Sequence, residues 1–475
     1  MNIFALSTGK GPSGIAILRL SGKDSLQISK LITKKNDIKS KEVNLCKFYD
    51  PSNGKMIDEG LLLWAPGPNS YTGEDLAEFH THGSNAVVSC FLRVLGEQEN
   101  CRLAEPGEFT KIAFQNNKMD LVEAESIGDL IHAETELQRQ QAIKLIQGNA
   151  SNHYNSLREK LVKSLSYIEA KIDFAEDDLP ENVLKEVQAS IKQVHKDIKQ
   201  ILEDQKIGEK IRDGFRISII GDVNAGKSSL LNLLSKREAA IVSEQEGTTR
   251  DVIETYLNID GYPVILADTA GIRKVKNKVE KEGIKRAIKK AKDADLTLVM
   301  VDASKKTINK DLKKLINEDC ILVFNKSDLS KKPPKNEFKK NNQILISVKK
   351  NKNIDSLIKT IKEKLSKKFM KANIILVTRE RHRAKLNAAL KEIEKFLKKD
   401  QKKEIETAAE DLRLSQDLRV YLQTNDRFIT HASAEVTERP NYRNEPLPVN
   451  VLGYLDALRR LLVRICSYCS YFTIL

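Results

Sequence analysis

Residues 221–228 read Gly-Asp-Val-Asn-Ala-Gly-Lys-Ser, which is the G-x-x-x-x-G-K-S pattern of a phosphate-binding loop. A strand-like run, 215–220, precedes this loop, and an apolar run with helical spacing, 230–234, follows it. In that context the glycines let backbone N–H groups close around an anion, and the helix directs its positive end at the phosphates. We therefore expect Lys227 to reach the β- and γ-phosphates of a nucleotide and Ser228 to ligate Mg²⁺.

Two motifs typical of the switch regions of guanine-nucleotide-binding proteins come later in the chain. The hexapeptide Glu-Gly-Thr-Thr-Arg-Asp contains Thr248 and Thr249, and one of these hydroxyls can bind Mg²⁺ and sense the γ-phosphate. The tetrapeptide Asp-Thr-Ala-Gly follows an apolar run. In it, the Asp268 carboxylate can hold the metal through water, and the Gly271 N–H can hold the γ-phosphate.

The motif Asn-Lys-Ser-Asp at residues 325–328 predicts which base is bound. A carboxylate at Asp328 can accept hydrogen bonds from both the N1–H and the exocyclic amine of guanine, whereas adenine has no such donor pair. Backbone groups of Ser347 and Val348, after another strand-like run, would complete the base pocket. The Asn-Lys-Ser-Asp motif is weak alone in a chain this rich in Lys, but four elements in this order, each just after a strand-like run, indicate a GTP-binding site. The alternatives are a chance glycine loop and a nucleotide fold that has lost its ligand.

Together these motifs define one predicted nucleotide site. The residues expected to contact GTP are Asn224, Ala225, Gly226, Lys227, Ser228, Ser229, Thr248, Thr249, Asp268, Thr269, Ala270, Gly271, Asn325, Lys326, Asp328, Ser347 and Val348. Ras-type proteins place a water-orienting Gln directly after Asp-x-x-Gly, but here that position is Ile272, which cannot hydrogen-bond water. The amide oxygen of Asn224 could ligate a monovalent cation, which would neutralise charge developing near the β–γ bridge.

Length and composition set the broad class of the protein. A chain of 475 residues is expected to form about three domains. We expect neither a membrane span nor a secretory signal, because long uncharged apolar runs are lacking and Arg19 interrupts the apolar run near the N-terminus. The six cysteines are scattered and do not suggest a disulfide framework. The expectation is a cytoplasmic protein.

The net charge of +14 suggests a polyanionic partner, of which RNA is the natural one. Much of the excess is Lys within residues 331–403, however, and solvated helix faces would explain it equally well. Aromatic residues make up 5% of the chain, which does not indicate stacking on single-stranded bases.

The pattern of apolar residues predicts a multidomain protein of the α/β and α classes. Strand-like runs at 15–20, 61–64 and 76–82, separated by Gly, Pro and Asn, predict an N-terminal α+β domain. Strands and helices alternate around the nucleotide motifs, which predicts a parallel sheet with helices on both faces. The predicted domains are 1–118 (α+β), 119–212 with 370–413 (helical), an inserted Ras-like P-loop GTPase domain at 213–369, and a tail at 414–475.

Several segments between Ile3 and Arg413 carry a more specific likeness. They are Gly-Ile-Ala-Ile-Leu-Arg-Leu-Ser-Gly at 14–22, Asn-Ser-Tyr-Thr-Gly-Glu-Asp at 69–75, His-Gly at 82–83, Ala-Glu-Pro-Gly-Glu-Phe-Thr at 104–110, Lys-Met-Asp-Leu at 118–121, Ala-Glu at 124–125, Gly-Thr-Thr-Arg-Asp at 247–251 and Ala-Ala-Glu-Asp-Leu-Arg at 408–413. With these segments the chain resembles the MnmE (TrmE) family of tRNA-modification GTPases. A phosphate loop alone would fit many GTPases, whereas the N-terminal segments single out this family.

The resemblance implies that residues 1–118 dimerise and bind 5-formyl-tetrahydrofolate or a related one-carbon folate. Arg19, Glu78 and Lys118 match family positions that contact the folate. Arg and Lys suit its glutamate carboxylate, and Glu78 suits the hydrogen-bond donors of the pterin. The alternative is that these three residues are ordinary surface or structural charges.

The resemblance also implies that K⁺ activates hydrolysis and that Mg²⁺ is held by the loop serine and the second switch threonine. The matching K⁺ ligands are Asn224, Ser243, Gln245 and Thr248, with Ser243 and Gln245 contributing backbone carbonyls. Glu280 matches the glutamate that orients the attacking water, although taken alone it would indicate a surface helix residue. GTP binding should bring two nucleotide domains face to face across a homodimer.

Members of this family work with a FAD- and NADH-dependent partner, MnmG. The resemblance implies that the pair installs an aminomethyl or carboxymethylaminomethyl group on the wobble uridine of certain tRNAs, while the GTPase cycle switches its conformation. The predicted function is therefore K⁺-stimulated GTP hydrolysis in tRNA modification. A GTP-dependent switch in RNA or ribosome assembly, and a catalytically idle or membrane-associated scaffold, are the alternatives.

The likeness stops after Arg413. The family ends in Cys-Ile/Val-Gly-Lys, which has no counterpart here, and Cys466 and Cys469 lack the second pair that a zinc site needs. Residues 436–450 indicate an irregular linker, and 451–465 have the spacing of a packed helix, a partner helix or a membrane-surface helix, unless the chain end is a replacement. We expect GTP chemistry to survive this change and tRNA modification to be impaired.

Overall fold

The computed structural model describes residues 1–173, 183–204, 206–222, 224–237, 240–241, 254–267, 294–305, 307–313, 316–330, 343–369, 376–400 and 404–415. Two compact units divide the chain; the first contains Met1–Ile131 and the second His132–Tyr421. Of the helices within these ranges, none is long and apolar enough to cross a membrane.

The first unit is an α+β fold built on a six-stranded sheet. Its strands are β1 (Asn2–Leu6), β2 (Ser13–Ser21), β3 (Val43–Tyr49), β4 (Met56–Ala65), β5 (Leu76–Gly83) and β6 (Cys101–Leu103). Its helices are α1 (Ser25–Thr33), α2 (Asn85–Gly96), α3 (Glu108–Gln115) and α4 (Leu121–Ile131). The strand order is β3-β4-β5-β2-β1-β6, and neighbours are antiparallel except β1 and β6. The three predicted strands lie inside β2, β4 and β5.

Alternate residues of this sheet lie on opposite faces. On one face Leu18 and Phe79 pack with Phe91 of α2 in an apolar core. On the other face Arg19 of β2 lies directly opposite Glu78 of β5. The strand register therefore brings two charged residues that are 59 positions apart in the sequence into contact.

The second unit combines helices with a seven-stranded sheet. Its helices are α5 (Glu136–Ile146), α6 (Asn149–Asp173), α7 (Val183–Leu202), α8 (Ile207–Asp213), α9 (Lys227–Arg237), α10 (Lys310–Lys313), α11 (Ile354–Phe369), α12 (Glu380–Lys398) and α13 (Ile405–Ser415). Its strands are β7 (Phe215–Gly221), β8 (Ala240–Ile241), β9 (Glu254–Ile259), β10 (Tyr262–Ala267), β11 (Leu296–Asp302), β12 (Cys320–Asn325) and β13 (Gln343–Leu345).

This sheet has the order β13-β12-β11-β7-β10-β9-β8. The five strands from β13 to β10 are parallel, while β9 is antiparallel to β10 and β8 is antiparallel to β9. Apolar side chains are buried on both faces, as with Ile217 and Leu298 on one face and Ile220 and Val299 on the other. The five parallel strands match the parallel sheet that the alternation of strands and helices predicts, whereas this alternation does not predict the antiparallel strands β8 and β9.

Two helices that precede the sheet in the sequence, α6 and α7, pack with two that follow it, α12 and α13, in one bundle. In α7 the residues Val187, Ile191, Val194 and Ile198 recur at helical spacing, and all are buried. The sheet is therefore inserted between two segments of a helical bundle, as expected from the sequence.

A buried ionic cluster joins α12 to α8 and to the turn between α7 and α8. Arg383 donates from Nη2 to Asp204 Oδ1 (2.7 Å), from Nε to Glu209 Oε1 (3.1 Å) and from Nη1 to the carbonyl oxygen of Leu202 (3.1 Å). The three ionic side chains are 2% to 11% exposed. Because α8 leads directly into β7, this cluster links the bundle to the central strand of the sheet.

Replacing Arg383 with Met is expected to lower the free energy of opening of α8 and α12 by about 3 kcal/mol, because it leaves two buried carboxylates without their cation. Native-state hydrogen exchange is the suitable measurement, since Trp64, the single Trp of the chain, lies in the other unit. Lys206→Met removes an exposed ion pair with Glu380 and is the matched control, for which we expect little change. Unaltered exchange of both helices in Arg383→Met would contradict the prediction.

Candidate functional site

The phosphate loop connects β7 to α9 at the carboxyl end of the central strand, the edge where parallel sheets bind ligands. Gly226 in this loop has a φ of +97°, in the left-handed region. A Cβ on Gly226 would lie 2.3 Å from Asn325 Nδ2, so both the backbone and the neighbouring side chain require glycine there. Asn224 is also left-handed, with a φ of +61°, and it is exposed.

Lys227 lies across this loop. Its Nζ donates to the carbonyl oxygens of Gly221 (2.9 Å) and Asp222 (2.8 Å). Ser228 and Ser229 are exposed in the first turn of α9, where the backbone N–H groups have no partner within the helix and carry partial positive charge. An ammonium group and two hydroxyls therefore come from three consecutive residues at a helix N-terminus, which suits a polyphosphate.

Asn325, the last residue of β12 and the first of the base motif 325–328, joins the phosphate loop to residues 347–348, which we call the base loop. Its Nδ2 donates to the carbonyl oxygen of Ala225 (2.9 Å), and its Oδ1 accepts from the N–H of Val348 (3.1 Å). The side chain is buried, so water competes little for these bonds. Asn325 is 100 positions from Ala225 and 23 positions from Val348 in the sequence. The structure thus brings these three predicted site residues together.

Asp328 is oriented by the side chain of Ser347. The Ser347 Oγ donates to Asp328 Oδ1 at 2.5 Å and accepts from the N–H of Lys350 at 3.2 Å. The hydrogen bond from Ser347 lowers the pKa of Asp328, whose exposed carboxylate is therefore ionised and able to accept further hydrogen bonds. The motif predicts only a backbone role for Ser347, and the hydroxyl adds a second one.

The sequence motifs do not point to Asp302, yet it holds the lysine of the base motif. Lys326 Nζ donates to Asp302 Oδ2 at 2.7 Å. Burial alone would raise the pKa of Asp302, but hydrogen bonds from Lys326 and Ser304 outweigh it and lower that pKa to about 2. A signal exists in the sequence: Asp302 ends the apolar run 296–301, and carboxyl ends of parallel strands share one edge of the sheet.

The remaining predictions for the nucleotide site fall outside the residues that the structure describes. They concern the switch residues, three of the four K⁺ ligands and the water-orienting glutamate: Ser243, Gln245, Thr248, Thr249, Asp268, Thr269, Ala270, Gly271 and Glu280. The described part of the site consists of the phosphate loop and the base loop.

In the first unit, two of the predicted folate residues bind each other. Arg19 donates from Nε and Nη2 to Glu78 Oε1 at 3.0 and 2.9 Å. The guanidinium carbon lies 5.0 Å from the ring centroid of Tyr71 and 5.5 Å from that of Phe109, within cation–π range. Both charged side chains are buried. The pair is thus a desolvated ion pair whose guanidinium also contacts two aromatic rings.

The charge of Glu78 is retained in this environment. Burial alone would raise its pKa, but His80 and Arg19 beside it hold the pKa below its ordinary value. His80 Nε2 lies 3.7 Å from Glu78 Oε2, which is an ion-pair distance and not a hydrogen bond. The exposed Lys118 donates to the carbonyl oxygen of Pro68 at 2.9 Å. Pro68 lies in the loop between β4 and β5, which also carries an aromatic ring that contacts Arg19.

Comparison with known proteins decides the family. The family model described as MnmE helical domain matches residues 121–418, and the one described as GTP-binding protein TrmE N-terminus matches residues 2–118. The tRNA modification GTPase MnmE of Pelagibacter ubique is 54% identical over 415 residues, which are 87% of this chain and 94% of that protein. The MnmE of Rickettsia bellii is 43% identical over 419 residues, 87% of this chain and 93% of that protein. The chain belongs to the MnmE/TrmE family.

As a member of the MnmE family, the protein is a GTPase of tRNA modification. The resemblance in the N-terminal motifs is confirmed, and so is the fold class, with a TrmE-type N-terminal part, an MnmE helical part and a P-loop sheet. Among solved structures, the G domain of the T. maritima FeoB iron transporter matches 32% of this chain and 98% of its own length, with 21% identity and a TM-score of 0.23.

Proposed function

We propose that this MnmE family member is a K⁺-stimulated GTPase that, with a FAD-dependent MnmG-type partner, forms the (carboxymethyl)aminomethyl group at C5 of the wobble uridine of certain tRNAs. One observation carries the proposal: in a chain 54% identical to a tRNA modification GTPase, the single side chain of Asn325 joins the phosphate loop to the base loop. That link favours a ligand with a polyphosphate at one end and a base at the other.

The described side chains suit GTP. Lys227 would hold the β- and γ-phosphates, and the ionised Asp328 would accept from the N1–H and the exocyclic amine of guanine. Ser228 would ligate Mg²⁺ together with Thr249, since Mg²⁺ takes oxygen ligands. Residues 268–271 would hold the metal through water and the γ-phosphate through a backbone N–H.

Hydrolysis would use K⁺ and a carboxylate. Asn224, Ser243, Gln245 and Thr248 would hold the ion, and Asn224 suits this role because it is exposed in the phosphate loop and has an amide oxygen. When bound, K⁺ would supply positive charge near the β–γ bridge, where negative charge develops. Glu280 would orient the attacking water, as Gln does in Ras-type proteins.

Arg19, Glu78 and Lys118 would bind 5-formyl-tetrahydrofolate or a related one-carbon folate. The lowered pKa of Glu78 keeps its carboxylate ionised, which is the form that accepts from the N–H donors of a pterin. The exposed ammonium of Lys118 suits the folate's glutamate carboxylate. Arg19 already compensates the charge of Glu78, so we assign it the additional role of orienting that carboxylate.

We divide the chain for these tasks as the sequence predicts. Residues 1–118 would dimerise and bind the folate, 119–212 with 370–413 would form the helical domain, 213–369 would hydrolyse GTP, and 414–475 would form the tail. In this proposal the homodimer assembles with two copies of the MnmG-type protein in the cytoplasm and acts on tRNA.

The test is nucleoside mass spectrometry of tRNA from cells that lack their own MnmE and express this chain with a cognate MnmG. We expect the modified wobble uridine to return at a reduced level, because the change in sequence after Arg413 is expected to impair the modification. A variant with Lys227→Ala serves as the matched control, because it removes the phosphate-binding ammonium and should not restore the modification. Unmodified tRNA in cells that contain a folded protein with K⁺-dependent GTP hydrolysis would refute the tRNA half of the proposal and leave a GTPase uncoupled from modification.

A further inference from the structure

The second residue of the phosphate loop is an aspartate, Asp222. A negative charge in a loop that binds phosphates weakens their binding unless a cation compensates it. The Asp222 side chain is 12% exposed, so water and salt screen its charge less than at an open surface. Its partners therefore decide how strongly this carboxylate opposes a polyphosphate.

Lys305 compensates the charge of Asp222. Lys305 Nζ donates to Asp222 Oδ2 at 2.9 Å, and Asn309 Nδ2 lies 3.4 Å from Asp222 Oδ1. Both partners come from the segment after β11, and they follow Asp222 by 83 and 87 positions. The sheet order places β11 beside β7, which brings the two segments together at the same edge.

The turn that carries Lys305 is tied to the base motif at its other end. Asp302 Oδ1 accepts from the Ser304 N–H (3.0 Å) and Oγ (2.7 Å), and the Lys305 N–H donates to the Asp302 carbonyl oxygen (3.1 Å). These bonds close a tight turn over residues 302–305. Asp302 Oδ2 accepts from Lys326 of the base motif. We call residues 302–305 the bridging turn, since one end pairs with the phosphate loop and the other with the base motif.

We infer that Lys305 is a positioning residue for nucleotide binding: it neutralises Asp222 and, through the bridging turn, couples the phosphate loop to the base motif. The inference rests on the proposed binding of guanine nucleotides at this site. Because the Lys305 side chain is 46% exposed, its effect is moderate and depends on ionic strength. Without Lys305 the Asp222 carboxylate repels the phosphates, and without Asp222 the charge of Lys305 has no carboxylate to neutralise.

The test is a double-mutant cycle in the full chain, with a fluorescent GDP analogue as the probe. We expect Lys305→Met to raise the Kd for this probe about fivefold at low ionic strength. In the Asp222→Asn background the same change should alter the Kd by less than about twofold, because the carboxylate is already neutral. In NaCl at about 0.5 M, Lys305→Met should raise the Kd only about twofold.

A purely structural role of Lys305 would give a different result. In that case Lys305→Met would lower the melting temperature measured by circular dichroism. It would also weaken probe binding by the same factor with and without Asp222→Asn. Lys313→Met removes the same charge from an exposed position of α10 and should leave the Kd unchanged. The inference would be overturned if Lys305→Met weakened probe binding as much in the Asp222→Asn background as in the unaltered chain. It would also be overturned if Lys305→Met did not weaken probe binding at all. A failure of the unaltered chain to bind the probe would overturn the proposed function as well.

Discussion

Asp328→Asn is expected to weaken GTP binding roughly a thousandfold and to make xanthosine triphosphate the better ligand. The ionised Asp328 can accept two charge-assisted hydrogen bonds from guanine, whereas an Asn amide has one acceptor oxygen and turns two N–H donors toward the exocyclic amine. Xanthine carries a carbonyl oxygen in place of that amine, so the same amide can accept from N1–H and donate to the oxygen. The base preference should therefore reverse.

Competition titrations with GTP and XTP against a fluorescent nucleotide measure both affinities on the same protein. Asp319→Asn is the matched control, since it removes an exposed carboxylate of the same unit, one that pairs with Lys368 at the end of β12 opposite to the base motif. We expect this control to bind GTP as the unaltered chain does. If Asp328→Asn lost GTP and XTP equally, Asp328 would act on the loop and not on the base, and the prediction would be wrong.

Local patterns in the sequence predict much of the fold and of the nucleotide site. The phosphate loop can be recognised because its chemistry needs a strand, two glycines, a lysine and a helix within a short stretch, and the structure places β7 and α9 around it. The edge at which the motifs meet is also predictable, because parallel strands share their carboxyl ends. The contacts of Asn325 with the two loops follow from that edge.

Contacts that depend on strand register cannot be read from local patterns. Arg19 and Glu78 each resemble a ligand-binding charge when taken singly, and only the pairing of β2 with β5 shows that they bind each other. The same holds for Asp222 and Lys305, which the sheet order brings together across 83 positions. Buried charges need a partner, but the sequence alone does not say which of many lysines and arginines provides it.

Glu280→Gln is expected to lower kcat for GTP hydrolysis about a hundredfold or more and to leave the Kd for GTP close to its original value. The position after Asp-x-x-Gly is Ile272, which cannot hold water, so another side chain has to do so. A carboxylate accepts hydrogen bonds on both oxygens, whereas Gln keeps the shape and replaces one acceptor with a donor. The loss should thus appear in the chemical step and not in binding.

Glu282→Gln provides the matched control, because it removes the same charge from the same short segment two residues later. Single-turnover hydrolysis in K⁺ at saturating protein measures the chemical step, and titration with a fluorescent GTP analogue measures affinity. If the loss of a negative charge near the site were the cause of slow hydrolysis, both variants would hydrolyse GTP equally slowly. A hundredfold lower hydrolysis rate in Glu280→Gln alone would show that a carboxylate at this one position is required. Equal hydrolysis rates in the two variants would exclude Glu280 as the group that orients water. A slow rate that is explained by weaker GTP binding would exclude it as well.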